Sequence, residues 1–155
     1  SEINIPVDAF IPDSYIGDPT QKLLTYKRLS KVREEAELTD MKDELKDRYG
    51  DIPRPLANLL DVISLKCVLT RAGIRRLEHA PRQVILHVSE KTPLDMKRLL
   101  SLVKDDGRVK LLPDGRIIMQ TDKRAGELVS FTKNVLMEFI PMCYNTTDKR
   151  SVMTS

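Results

Sequence analysis

The chain has 155 residues, 41% apolar and 32% charged, a balance that supports one domain with a real core and requires neither disulfides nor metal. No apolar run reaches the roughly 18 residues that span a bilayer, and no basic-then-apolar leader opens the sequence. Its 26 basic residues are interleaved with 23 acidic ones for a net charge of +3, well short of a dedicated nucleic-acid binder's surplus.

Residues 2–12 alternate apolar and polar at first, as a short edge strand does, and Pro6 and Pro12 forbid a long ladder. Asp18-Pro19 is a capping carboxylate followed by proline at the first helical position. It predicts a helix to about Val32 with Leu23, Tyr26 and Leu29 inward. A second helix is predicted over roughly 35–48. Its narrow stripe is Leu38, Met41, Leu45 and Tyr49, and Gly50 closes it as a left-handed cap. Pro53 and Pro55 open a third helix, about 54–72, stopped by Gly73. Leu56, Leu59, Leu60, Ile63 and Cys67 make one stripe and Val62, Leu65 and Leu69 a second, so this helix should be central.

Strand signals follow at 74–78 and 83–89, around Ala80-Pro81-Arg82. Thr92-Pro93 predicts a helix near 93–104 with Leu94, Leu99, Leu100 and Val103 inward. Strands at 109–112 and 116–120 flank Pro113-Asp114-Gly115, a strong hairpin turn. A last helix is predicted over 123–139, on Leu128, Phe131, Val135, Leu136 and Phe139. The fold class is therefore α+β: an amino-terminal helical half of about three helices, then β-β-α-β-β-α with antiparallel hairpins. Residues 1–140 read as a single domain. Residues 141–155 are polar, lack periodicity and read as a loose tail. The chain opens Ser1-Glu2-Ile3 without a methionine, as an excised or processed piece would.

The chemistry-bearing residues mostly resolve into structure. The six glycines are scattered at helix stops and turns, so no phosphate-cradling loop and no nucleotide cofactor is expected. His79 and His87 have no second ligand at metal spacing and read as surface or hairpin-flank histidines. Cys67 sits in a core stripe, and Cys143 in the late polar segment is unrelated to it by spacing; a reducing cytoplasm is the simplest setting. The second helix is rich in acids, from Glu34 and Glu35 to Asp47. A solvated face with i, i+4 pairs such as Glu44–Arg48 accounts for them better than acid–base catalysis. No catalytic residue, metal or cofactor is assigned.

Two binding readings stand beside these. Glu44, Asp47 and Arg48 are spaced i, i+3, i+4, so they share one flank of the second helix and form a patch of both signs that can pair with a protein partner. Arg71, Arg75, Arg76 and Arg82 cluster around the third helix end and first hairpin, and they are the alternative, an accessory nucleic-acid contact. With no Trp and only three Phe, stacking platforms for single strands are lacking.

Several ordered phrases carry a resemblance. They are Ile-Pro-Asp-Ser-Tyr-Ile at 11–16, Tyr-Lys-Arg-Leu at 26–29, Glu-Leu-Lys-Asp-Arg-Tyr-Gly at 44–50, Ile-Pro-Arg-Pro-Leu-Ala-Asn-Leu-Leu at 52–60 and Ala-Gly-Ile-Arg-Arg-Leu-Glu at 72–78. Together they resemble the carboxyl-terminal domain of the bacterial transcription-repair coupling factors, the Mfd family. The resemblance implies a parent that is a helicase-like ATPase translocating on double-stranded DNA, displacing stalled RNA polymerase and recruiting UvrA for nucleotide excision repair. The motor lies upstream, so this chain is not expected to be an enzyme. The domain is implied to pack on the amino-terminal UvrB-like module and hide its UvrA-binding surface, through positions that match Glu44, Asp47 and Arg48.

Overall fold

Residues 2–105 and 107–141 are described by a computed structural model. Local signals place the helical half. Asp18 accepts a hydrogen bond from the Thr20 amide and opens α1, Pro19–Ser30. Its buried face centres on Thr25 and Leu29, which leaves Leu23 and Tyr26 on the outside instead of inward as the spacing predicts. The Thr25 hydroxyl is satisfied by the Gln21 carbonyl, so a polar residue can occupy the inner face. The next helix, α2, spans Glu35–Tyr49 with Leu38, Met41 and Leu45 buried. Gly50 ends it at φ 95° and ψ −164°, a positive-φ turn that glycine tolerates, though not the left-handed helical cap expected.

The third helix, α3, runs Arg54–Arg71 and is packed on two sides. Leu56, Leu60 and Cys67 join α1, α2 and Ile11 and Ile16 in one apolar cluster. Leu65 and Leu69 join the sheet and later helices in a second. The two stripes read from the sequence are thus the two faces of one shared wall.

The second half supplies a five-stranded sheet in the order β1-β2-β3-β5-β4. The hairpin β2, Arg76–Ala80, with β3, Gln83–His87, is antiparallel, as is the hairpin of β4, Val109–Leu111, with β5, Arg116–Gln120. Strand β3 also pairs antiparallel with β5. The edge strand β1, Glu2–Asn4, pairs parallel with β2, so the sheet is mixed. Leu77, Val84, Leu86, Ile117 and Met119 point to the core. They pack with α5, Ala125–Phe139, and with Leu99 of α4, Met96–Asp105. Helix α4 begins three residues later than Thr92-Pro93 predicts. The Thr92 hydroxyl accepts the Ser89 amide, and Asp95 accepts the Arg98 amide at the true helix start. Leu100 is turned to solvent.

No helix among the described residues is long and apolar enough to cross a membrane. Cys143 and the tail from residue 142 lie outside the described residues.

Candidate functional site

With Leu38, Met41 and Leu45 buried, α2 turns the rest of its surface to solvent, and Glu44, Asp47 and Arg48 are all exposed along one side of the buried stripe. The structure brings these three together on one flank, with a supporting frame that spacing alone did not reveal. Arg28 of α1 reaches across to Glu44, Nη2 to Oε2 2.7 Å. Glu44 therefore pairs between helices and not with Arg48 one turn on, as the i, i+4 rule suggests. The Arg28 hydrogen bond, then its charge, hold the Glu44 carboxyl below the usual carboxylate range. Asp47 has no ion-pair or hydrogen-bond partner among the described residues. The Arg48 guanidinium carbon lies 5.2 Å from the centre of the Tyr49 ring, a cation–π contact.

Tyr49 is itself held by Tyr15, ring centres 5.6 Å apart. The Tyr15 hydroxyl lies 3.0 Å from the Leu45 carbonyl and 2.7 Å from that of Gly50, so its one proton is shared between two acceptors at the end of α2. Burial, then the charge of Asp51, push this phenol above its ordinary value. The result is a patch of one braced carboxylate, one carboxylate without a side-chain partner among the described residues and one stacked guanidinium. Tyr15 and Arg28 were missed as supports, although each stands in a phrase of the resemblance.

A second polar cluster ties α2 to the rest of the chain. Lys133 of α5 donates to Glu35, 2.9 Å, and to the Ser64 hydroxyl, and Ser64 donates to Glu35. Burial alone would raise the Glu35 carboxyl, but the hydrogen bonds from Ser64 and Lys133 and the lysine charge outweigh it and lower the net value. Glu35 is thus a partly enclosed acid at the start of a helix whose acids the sequence assigns to a solvated face. Asp61 nearby is raised, by burial, against the pull of Lys133, Lys42 and Arg54.

Of the four arginines of the nucleic-acid alternative, Arg71, Arg75 and Arg76 fall within six residues of chain and Arg82 stands apart. Arg71 ends α3. Arg75 is exposed before β2. Arg76 is bonded to Glu78 and lies 4.0 Å from Glu2. Arg82 sits in the hairpin turn at φ 59°, beside Lys123 and Arg124, about 13 Å of strand from Arg76. His79 is exposed, and His87 lies 2.9 Å from Glu78, whose carboxyl is lowered first by that hydrogen bond. Cys67 is buried, its sulfur 3.9 Å from the Val32 carbonyl, and burial raises its thiol. No group of three or more potential metal ligands occurs among the described residues.

Comparison with known proteins agrees with these phrases and this topology. The TRCF domain model matches residues 5–99. The transcription-repair-coupling factor of Myxococcus xanthus is 31% identical over 140 residues, 88% of this chain and 12% of that protein. That of Escherichia coli K12 is 32% identical over 104 residues, 67% of this chain and 9% of that protein. The chain thus spans about a tenth of the length of these relatives. A crystal structure of the C-terminal domain of a transcription-repair coupling factor matches the fold with a TM-score of 0.65 at 22% identity, covering 82% of this chain and 83% of that one. A family match over most of the chain, and the same fold in the solved domain, mean that this chain belongs to the TRCF-domain family of transcription-repair coupling factors.

Proposed function

We propose that the chain is an autoinhibitory protein-interaction domain without chemistry of its own. It packs its Glu44–Asp47–Arg48 flank on the parent's amino-terminal UvrB-like module and masks the surface that meets UvrA. The parent, in this reading, is an ATP-dependent translocase on double-stranded DNA that removes stalled RNA polymerase. The observation that carries the reading is the braced mixed-charge face, exposed on α2 and held by Arg28, Tyr15 and Tyr49.

Mixed charge suits a reversible clamp. Such a face gives register when closed and leaves no sticky apolar patch when open. A closed bias of about 3 kcal/mol leaves about one molecule in 150 competent for the masked partner. Engagement of polymerase and DNA then has to favour the open state.

Calorimetry of this chain with the amino-terminal module of its parent tests the reading. Binding that weakens with salt is expected, and it should be lost when Glu44, Asp47 and Arg48 are reversed in charge while circular dichroism is unchanged. No heat at high micromolar concentrations in low salt would sink it. The nucleic-acid alternative draws less support, because Arg76 is engaged by Glu78 and Arg82 stands at the far end of the hairpin. Titrating labelled duplex and single-stranded DNA at two salt concentrations separates the two, since phosphate contacts make affinity steeply salt-dependent.

A further inference from the structure

Between α1 and α3 runs a groove of about 420 Å³. Tyr26 and Leu29 of α1 and Leu59, Ile63 and Cys67 of α3 make it apolar. At 100° per residue, Tyr26 and Ser30 lie on the side of α1 away from Arg28, so the groove is a different surface from the Glu44 face. Its apolar character continues outward. Tyr26 is 36% exposed, Leu23 one turn earlier 54%, and Phe10 46%. The Phe10 amide bonds to the Pro55 carbonyl and the Ile11 amide to the Tyr26 hydroxyl, which sets Phe10 at the amino end of α3 beside Tyr26. Large aromatic and aliphatic side chains left together in this way mark binding surfaces.

The rim has a sign. Arg33, Lys66 and Arg71 edge the groove against Glu34, with Glu35, already paired to Lys133, and Glu37, which accepts from the Arg33 amide, close enough to act on Cys67. None of these three cations forms an ion pair among the described residues, whereas Arg28, Arg76 and Lys133 elsewhere do. From Leu59 to Arg71 the α3 wall is about 18 Å long, three turns of helix.

We propose that this groove docks an acidic amphipathic helix of a partner protein. The helix would lie along α3, its aliphatic stripe on Leu59, Ile63 and Cys67 and its carboxylates toward Arg33, Lys66 and Arg71. This is recognition of a helix in a groove, with i, i+3, i+7 anchors setting position and the rim setting charge preference. A second copy of this chain fits poorly, since a two-fold contact through this face sets the same cations against each other. The chain's own residues 142–155 carry Lys149 and Arg150 against Asp148 alone, and they lack the acidic face the rim asks for.

Replacing Cys143 by serine leaves Cys67 as the sole thiol; it is 7% exposed in the wall of the groove, so its slow labelling reports local opening there, which a seated helix suppresses. Modification of Cys67 by N-ethylmaleimide is followed by mass spectrometry in the whole 155-residue chain. Two helix-stapled 12-residue peptides serve as probes, both with leucine at positions 2, 5 and 9, one otherwise rich in Glu and the other in Lys. The Glu peptide should slow labelling about tenfold at low salt and less at high salt, and the Lys peptide less than about twofold. Lys66→Glu with Arg71→Glu, both exposed positions, should invert that order. Should the double variant fail to fold, the comparison of peptides on the Cys143→Ser chain still decides. Equal protection by both peptides, or by neither, overturns the proposal. So does a large gain in labelling on removal of residues 142–155, which would name the tail as occupant, or labelling that slows with chain concentration alone, which would name a second copy.

Discussion

Gly126→Ala, in the first turn of α5, is a small change with a large expected effect. A Cβ at that position would lie 2.6 Å from Oδ1 and 3.5 Å from Cγ of Asn58 on α3. Asn58 is 6% exposed and cannot swing into solvent. Its Nδ2 donates to the Asp8 carbonyl at 3.0 Å, while its Oδ1 has no hydrogen-bond partner and rests beside the positive end of α5. Room for the methyl therefore has to come from moving the amide. That forfeits the bond to Asp8, about 1 kcal/mol, and strains a packed interior, typically by about 1–3 kcal/mol. Alanine returns roughly 0.5–1 kcal/mol through the unfolded chain and helix propensity. The net loss should be about 1–3 kcal/mol, or roughly 3–10 °C in Tm for a chain of this size. Urea unfolding of Gly126→Ala, Asn58→Ala and the double variant isolates the cause. With Asn58 truncated, the glycine substitution should become neutral or mildly stabilising, giving a coupling of about 1–3 kcal/mol. A Gly126→Ala chain as stable as the parent, or an equal cost in both backgrounds, refutes the contact.

Two further outcomes follow from the polar contacts. Tyr15→Phe keeps the ring against Tyr49 but removes the proton shared by the Leu45 and Gly50 carbonyls; it should lower stability by about 1 kcal/mol in urea unfolding and loosen the end of α2. Glu35 has a folded value below its unfolded one, so its contribution is fully present above the ordinary carboxylate range and is lost as pH falls through the folded value. Glu35→Gln should flatten the acid limb of a stability-against-pH curve, while Asp61, raised by burial, contributes with the opposite sign in both chains.

Local periodicity made most of the fold legible, and α3 shows why. Two apolar stripes on one helix can only mean two packed sides, and Leu60 with Cys67 and Leu65 with Leu69 fall in the two clusters accordingly. Pro113-Asp114-Gly115 marked its hairpin, with Gly115 at φ 90°. What failed depended on partners distant in sequence. The start of α4 was misplaced because the Thr92 hydroxyl serves Ser89. Leu23 and Leu100 were turned inward because spacing gives the width of a stripe and not the bearing of its centre. The parallel pairing of β1 with a strand some seventy residues on leaves no local trace. At the candidate site the three surface residues were visible from spacing. Their frame was not, because Arg28 and Tyr15 meet α2 only in three dimensions.

That frame ranks the residues of the face. An incoming guanidinium that approaches Glu44 finds Arg28 already 2.7 Å from one carboxylate oxygen. Like-charge repulsion then offsets part of the new attraction, although the carboxylate has lone pairs to spare. Asp47 has no such occupant among the described residues, so a partner's cation meets the full charge. Under the clamp reading, Asp47→Ala should weaken binding to the amino-terminal module by roughly tenfold and Glu44→Ala by less than about threefold. Removing the competitor should equalise them: in an Arg28→Ala background, the loss on truncating Glu44 should rise toward that of Asp47. Calorimetry on the four variants and the parent chain measures this directly. Equal losses at Glu44 and Asp47 in the unaltered background would mean that Arg28 turns away on binding. The face would then be rearranged by its partner, not presented to it ready-made.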